Sequence, residues 1–201
     1  MSKSTLSDWL HEFPLSEERI RALQQQGWKR SEAAIERFRN TMRRKKEKRL
    51  KEIYETQKKT ILPLNNHEFF LAGLFLYWGE GTKHKMDRLS VSNTDPAIIK
   101  FFIRWLRKAL GISKKKIRIL LHLYSDMNIK SEIEFWSKKL AFPLSQFSRP
   151  YIKKTSSKNI NHKGSFGHGT CNVVVCSVPL SEKILMGLKA IADYYAHVAQ
   201  R

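Results

Sequence analysis

The stretch LAGLFLYWGEGTKHK, residues 71–85, is the most apolar window of a 201-residue chain whose formal net charge is +20. It contains one carboxylate, Glu80, which stands between Gly79 and Gly81, and the sequence becomes basic directly afterwards. An isolated acid at the end of an apolar helix, beside Lys83 and Lys85, needs an explanation.

The window predicts a helix with two apolar faces. The first face has the i, i+3, i+4, i+7 spacing of a stripe that packs on a sheet, and consists of Leu71, Leu74, Phe75 and Trp78. The second face has smaller side chains that would let another helix approach, and consists of Ala72, Gly73, Leu76, Gly79 and Glu80. If two such helices met, a divalent cation would relieve the repulsion between their Glu80 carboxylates. Spacing alone favours a simpler interpretation, an ordinary C-cap turn with Glu80 paired to Lys83 or Lys85.

The charge of the chain is strongly unbalanced. It has 38 basic and 18 acidic residues, and its isoelectric point is about 10.1. Such an excess indicates a polyanionic partner, since binding a polyanion releases its condensed counterions. Nucleic acid is the first choice and an anionic membrane surface the second.

The sequence has no feature of a membrane or secreted protein. No run of 18 apolar residues occurs, and the first residues, MSKSTLSDWLHEF, contain no apolar signal segment. Cys171 and Cys176 are too few for a disulfide framework. Because they differ by an odd number within a predicted strand, they should lie on opposite faces and not form a zinc site. We therefore expect a cytoplasmic protein in a reducing compartment.

Two domains are predicted, a basic helical arm over residues 1–62 and an α+β domain over residues 63–201. The arm includes a long helix from about residue 31 to residue 60, whose apolar positions are sparse. Within it, RRKKEKRLK at residues 43–51 has seven basic residues and one acidic residue. This run is either a solvated helix face or a surface that lies along phosphates. In the second interpretation the phosphate contacts are Arg43, Arg44, Lys45 and Lys46.

The second domain reads as helix, short strand pair, helix, strand, helix, strand, strand, helix. Its predicted helices cover residues 66–78, 96–111, 131–142 and 181–197, and its predicted strands cover residues 82–93, 116–124, 148–154 and 170–178. Capping boxes at Asn65/Glu68 and Ser131/Glu134 mark two helix starts, and Asp95-Pro96 marks a third. The order is typical of an α+β fold without tandem repeats.

The sequence of the second domain resembles that of the LAGLIDADG homing endonucleases. The resemblance rests on LAGL at 71–74, GEG at 79–81, SNTDPAIIKFF at 92–102 and the element order, and it covers about residues 66–192. It implies an αββαββα unit with an extra helix inserted at 131–142, preceded by the basic arm. The sheet of that family forms a concave surface over the DNA major groove. Only one motif is present, so the resemblance implies a homodimer.

The resemblance also implies a set of site residues. Glu80 stands where the family keeps its metal-binding catalytic acid, which implies Mg²⁺ as cofactor. It lies seven positions after Gly73, whereas the family motif has five. Leu71, Ala72, Gly73, Leu74, Gly79 and Gly81 correspond to the helix-packing motif. Basic side chains on the strands would contact double-stranded DNA, and these are Lys83, Lys85, Arg88, Arg118, Lys153 and Lys154.

Three functions remain open at this point. The first is Mg²⁺-dependent phosphodiester hydrolysis by a homodimer that brings two Glu80 carboxylates together. The second is a non-catalytic, regulator-type protein that binds duplex DNA with the same sheet. The third is an RNA-binding module without metal chemistry.

Overall fold

A computed structural model describes residues 13–25, 30–154 and 167–198. The sequence also predicts a helix stop near Gly27 and a polar loop over residues 154–169, and residues 26–29 and 155–166 lie outside the described residues. The chain divides into two compact units, residues 1–63 and 64–201, one residue from the predicted boundary. Each unit is described by itself.

The described residues of the N-terminal unit form two helices, α1 (Glu17–Gln25) and α2 (Arg30–Ile61). They pack through the start of α2, where Ala33 and Glu36 are buried. The predicted long helix is thus confirmed with bounds one residue wider at each end. Its basic run at 43–51 is exposed throughout.

The C-terminal unit has the predicted α+β class. Its elements in chain order are α3 (Asn66–Glu80), β1 (Arg88–Asn93), α4 (Pro96–Lys108), β2 (Arg118–Tyr124), α5 (Ile129–Leu140), β3 (Tyr151–Lys153), β4 (Thr170–Cys176) and α6 (Val178–Val198). Short 3₁₀ turns at Lys114–Lys116 and Leu144–Gln146 precede β2 and β3.

The four strands form one mixed sheet in the order β1-β4-β2-β3. β4 pairs antiparallel with both β1 and β2, and β2 pairs parallel with β3. A single bridge from Gly81 to Val91 extends the sheet beyond β1. The predicted strand 82–93 is therefore wrong over residues 82–87, which form a loop between Gly81 and β1.

The core lies between the helices and one face of the sheet. Alternate residues of β1, β2 and β4 are buried in it, namely Leu89, Val91, Ile119, Leu121, Leu123, Cys171, Val173 and Val175. α3, α4 and α6 contact β1, and α4 also contacts β4. Their side chains complete the core with Leu74, Tyr77, Ile99, Phe102, Trp105, Leu106, Ile184 and Leu188.

α3 and α4 approach closely at Gly73. A Cβ atom at Gly73 would lie 2.0 Å from the Trp105 ring, so only glycine fits beneath that ring. The Trp105 indole N–H donates to the Phe70 carbonyl over 2.9 Å and holds the ring in place. The second face predicted for α3 is therefore wrong at Gly73, which packs inside its own chain and not at a surface for another helix.

The first face predicted for α3 is also wrong in part. Leu74 is buried as expected, but Phe75 is 50% exposed, and Tyr77 takes the fully buried position instead. Because α3 is apolar almost all round, its periodicity does not determine which face is buried.

The helix starts follow local capping chemistry. The Asn65 side chain accepts from the Glu68 N–H over 2.9 Å and the Glu68 carboxylate accepts from the Asn65 N–H over 2.8 Å, which confirms the capping box. Asp95 caps α4 with Pro96 in its first turn, also as predicted. The box predicted at Ser131 is wrong, because α5 begins earlier with Asn128 as its N-cap. None of the described helices is long and apolar enough to cross a bilayer.

Candidate nucleic-acid interface

The strand residues that alternate with the core make a second, largely polar sheet face. We call it the open sheet face, and it consists of Arg88, Ser90, Ser92, Arg118, Leu120, His122, Tyr124, Tyr151, Lys153, Thr170, Asn172, Val174 and Cys176. Most of these side chains are partly or fully exposed, although Ser90 and Tyr124 are buried. A sheet with one face in the core and one polar face is typical of antiparallel architectures.

Three of the predicted DNA-contacting residues lie on the open sheet face. Arg88 is opposite Cys176 in β4, and Arg118 is opposite Val174 in the same strand. Lys153 lies on β3, beside Tyr124 of β2. The fold thus distributes one cation to each of three strands on a single side of the sheet.

Arg88 is engaged by its neighbour in the chain. Its guanidinium donates from Nε to both carboxylate oxygens of Asp87 over 3.0 Å and makes a further short contact from Nη2. These hydrogen bonds lower the pKa of Asp87 below its ordinary value. An acid therefore accompanies one of the three cations, while Arg118 is exposed and has no ion pair within the described residues.

Aromatic side chains accompany the third cation. The Lys153 ammonium lies 4.9 Å from the centre of the Tyr124 ring, a cation–π distance. His122 and Tyr151 meet edge to face with ring centres 5.6 Å apart. Burial, together with the charge of Lys153, lowers the pKa of His122. His122 and Tyr151 were not among the predicted site residues, although the alternation of β2 could have indicated the first.

Glu80 is exposed at the last position of α3. Its Oε2 accepts from the Asn93 amide over 3.4 Å, which is a long and weak hydrogen bond. Within the described residues it has no ion pair, so the predicted pairing with Lys83 or Lys85 is wrong. Only glycine fits at the next position, Gly81, because a Cβ atom there would lie 2.4 Å from the Tyr77 side chain and carbonyl.

The remaining predicted cations differ in their surroundings. The Lys83 ammonium donates to the carbonyls of Trp78 over 2.7 Å and Gly81 over 2.9 Å, so it caps the C-terminus of α3. Lys85 is exposed in the loop before β1, and Lys154 is exposed just after β3. Arg43, Arg44, Lys45 and Lys46 are exposed on α2. The structure thus gives Lys83 a structural role where a phosphate contact was predicted.

The outward face of α3 is apolar. Phe75 is half exposed and stacks on Trp78 with ring centres 5.9 Å apart. Ala72 and Leu76 are partly exposed beside them, and Gly79 is exposed one turn further on. Apart from Gly73, the small-residue face predicted for helix pairing therefore stays at the surface.

The two cysteines of β4 lie on opposite faces of the sheet. Cys171 lies fully in the core, where burial raises the pKa of its thiol, and Cys176 is exposed on the open sheet face. The odd spacing thus separates the two thiols as predicted. Between them, Asn172 has a buried side-chain oxygen without a hydrogen-bond partner in the described part of the chain.

Glu80 is the carboxylate to be tested as a ligand for Mg²⁺. Mg²⁺ is usually held by one or two carboxylates, water and substrate phosphates. Glu80 fits as one such ligand because its carboxylate is exposed and weakly bonded. Within residues 13–25, 30–154 and 167–198, no three His, Cys, Asp or Glu side chains converge.

Comparison of the chain with models of protein families, with curated proteins and with solved structures gave no match.

Proposed function

We propose that this protein binds double-stranded DNA through the open sheet face. The observation that carries the proposal is the placement of Arg88, Arg118 and Lys153 on three strands of one polar sheet face, on which Asp87 pairs with Arg88 alone among the three. Cations spaced over a sheet neutralise phosphates, and arginine also pairs with guanine edges in the major groove.

The spacing of the two arginines supports a duplex partner. Arg88 and Arg118 flank β4 on either side and are displaced by two residues along it. Strand separations of about 4.8 Å and a rise of about 3.4 Å per residue put their Cα atoms roughly 12 Å apart. The major groove has a similar width, about 12 Å. Arg118 is the stronger candidate for a base or phosphate contact, because Asp87 competes for Arg88.

The homodimer implied by the LAGLIDADG resemblance is part of the proposal. The outward face of α3 supplies an apolar surface around Phe75. The small side chains of Ala72 and Gly79 on this surface would let a second helix approach closely. Pairing of two such helices would extend the basic sheet to two copies and bring the Glu80 side chains towards each other.

Mg²⁺-dependent phosphodiester hydrolysis is the second candidate function, favoured by the exposed and weakly bonded carboxylate of Glu80. A bound divalent ion would supply an activated water and would stabilise the leaving oxygen. The role of this chain in the reaction would be to present Glu80 at the end of α3, where Lys83 and Gly81 hold the last turn.

DNA binding is tested by fluorescence anisotropy with a randomised duplex, with a structured RNA as competitor at equal salt. We expect the duplex to be preferred, and Arg118→Ala to lower the slope of log K against log salt concentration by about 1. Lys183→Ala, which removes an exposed cation on α6, is the matched control and should leave the slope unchanged. Preference for the RNA, or equal loss in both variants, would reject the assignment.

Hydrolysis is tested by nicking of a plasmid library in Mg²⁺ and in EDTA. We expect cleavage by the wild type in Mg²⁺ only, and loss of cleavage with retained anisotropy binding in Glu80→Gln. A wild type that binds duplex but cuts nothing leaves the non-catalytic form of the proposal. Cleavage that survives Glu80→Gln removes Glu80 from the mechanism.

A further inference from the structure

The outward surface of α4 carries a second group of cations, on the side of the C-terminal unit away from the open sheet face. α4 packs on β1 and β4 through its buried side chains, so its exposed residues point away from the sheet. These residues line a cleft of about 760 Å³, which we call the helix-layer cleft, with Ile103, Ile112 and Leu140 as its apolar floor. Its basic side chains are Lys100, Arg104, Arg107, Lys108 and Lys114.

Among the described residues, no ion pair compensates the charge of the helix-layer cleft. No acidic residue occurs between Asp95 and Asp126. Lys100, Arg104 and Lys108 follow one another at i, i+4 spacing, where like charges repel and destabilise a helix. Their side chains make no ion pair or hydrogen bond with any other described residue. Lys114 is partly engaged, because its ammonium donates to the Ala141 carbonyl over 2.5 Å.

The cationic surface is longer than one phosphate group. Lys100 and Lys108 are eight residues apart, which is about 12 Å along a helix. Arg104 and Lys108 also border a second cleft of about 570 Å³, which reaches Asn66 and His67 in the first turn of α3. An extended chain of phosphates matches this surface better than a single anion does.

The surface does not offer the exposed apolar helix face that a membrane-binding helix inserts. Such helices bury an apolar face in the headgroup region. The apolar face of α4 already lies in the core, with Phe102, Trp105 and Leu106 fully buried. Attraction at the helix-layer cleft is therefore electrostatic, as in contacts with a nucleic-acid backbone.

We propose that the helix-layer cleft binds the phosphate backbone of a second DNA duplex, so that one chain holds two duplex segments on opposite faces. The bridging part rests on the proposed function of the open sheet face. Because the contacts are lysine and arginine to phosphate, binding at the cleft is independent of sequence and strongly dependent on salt.

The test is a capture assay with the full chain. A biotinylated duplex on beads is loaded with protein, and retention of a second, fluorescent duplex is measured over a salt series. The cleft variant is Arg104→Gln/Lys108→Gln. The control, Lys138→Gln/Lys183→Gln, removes the same charge from exposed positions on α5 and α6. Single-duplex binding is measured in parallel by anisotropy, and folding is checked by urea unfolding.

We expect wild type and control to retain the second duplex and the cleft variant to lose it. The cleft variant should keep single-duplex binding through the open sheet face. Loss of two phosphate contacts should lower the salt slope of the second binding step by about 1.8.

Three outcomes overturn the inference in different ways. Absence of second-duplex capture by the wild type rejects the cleft but leaves the sheet proposal standing. Equal capture by the cleft variant assigns bridging to another surface, such as a pair of copies. Cleft-dependent binding to phosphatidylserine vesicles without duplex capture assigns the cleft to membranes. By contrast, if the cleft variant loses all duplex binding while Arg118→Gln binds normally, the open sheet face is not the primary site.

Discussion

The two faces of the sheet use the same strands for opposite purposes. One face carries aliphatic side chains and Cys171 into a core covered by α3, α4 and α6. The other carries arginine, lysine, tyrosine and asparagine at the alternate positions. Because the side-chain period of a strand is two, one register determines both the packing and the charged surface. Changes on the core face should therefore alter stability, and changes on the open sheet face should alter binding.

The largest effect is expected on the core side, at Gly73. Gly73→Ala places a methyl group 2.0 Å from the Trp105 ring, and overpacking of this kind costs about 1–3 kcal/mol of unfolding free energy. Gly79→Ala is the matched control, since a Cβ atom there meets nothing within 4 Å. The control should be neutral or stabilising by up to about 1 kcal/mol, because alanine favours helix.

Urea unfolding of the two variants measures this difference. An equal response to both substitutions would mean that α3 and α4 do not meet at Gly73. It would also remove the physical reason for a glycine at this position of the LAGL motif.

The starts of α3 and α4 and the packing of Gly73 show what the sequence alone could and could not predict. Capping at Asn65/Glu68 and at Asp95 is local chemistry, so the starts of α3 and α4 were predicted correctly. The burial of Gly73 was not predicted, because it depends on Trp105, 32 positions away in a helix whose orientation no local signal encodes. The strand alternation placed Arg118 on a face opposite Ile119, but which of those faces is open follows only from the position of the helices.

The next effect concerns the two thiols of β4. Native Cys176 should react fully with a disulfide reagent, whereas Cys171 should react only after unfolding, because it is buried and its thiol pKa is raised. Thiol titration should therefore count one reactive group without urea and two groups in urea. Bound duplex should slow the reaction of Cys176, which lies opposite Arg88. Unchanged reactivity in saturating DNA would place the duplex on another surface.

A smaller effect is expected at the acid beside Arg88. Asp87→Asn removes the negative charge that pairs with the Arg88 guanidinium, so duplex binding should become tighter and its salt slope steeper by up to about 1. Asp193→Asn is the control, because Asp193 also pairs with a cation but lies on α6. Anisotropy titrations at several salt concentrations compare the two. Equal tightening would indicate a general effect of net charge, with no special role for Arg88.

The smallest effect is the pH response of His122 on the open sheet face. Burial lowers its pKa in the folded state, so the unfolded chain binds the proton more readily. Stability contributed by the neutral imidazole is present above the unfolded pKa of about 6.5 and decreases as the pH falls through the folded pKa. The effect is small because His122 is partly exposed. NMR titration of the imidazole should give a midpoint below that of an unfolded peptide, and addition of duplex should raise it, since phosphate favours the protonated ring. A midpoint that duplex leaves unchanged would separate His122 and the neighbouring Lys153 from the DNA contact, and would confine the interface to the part of the sheet around Arg118.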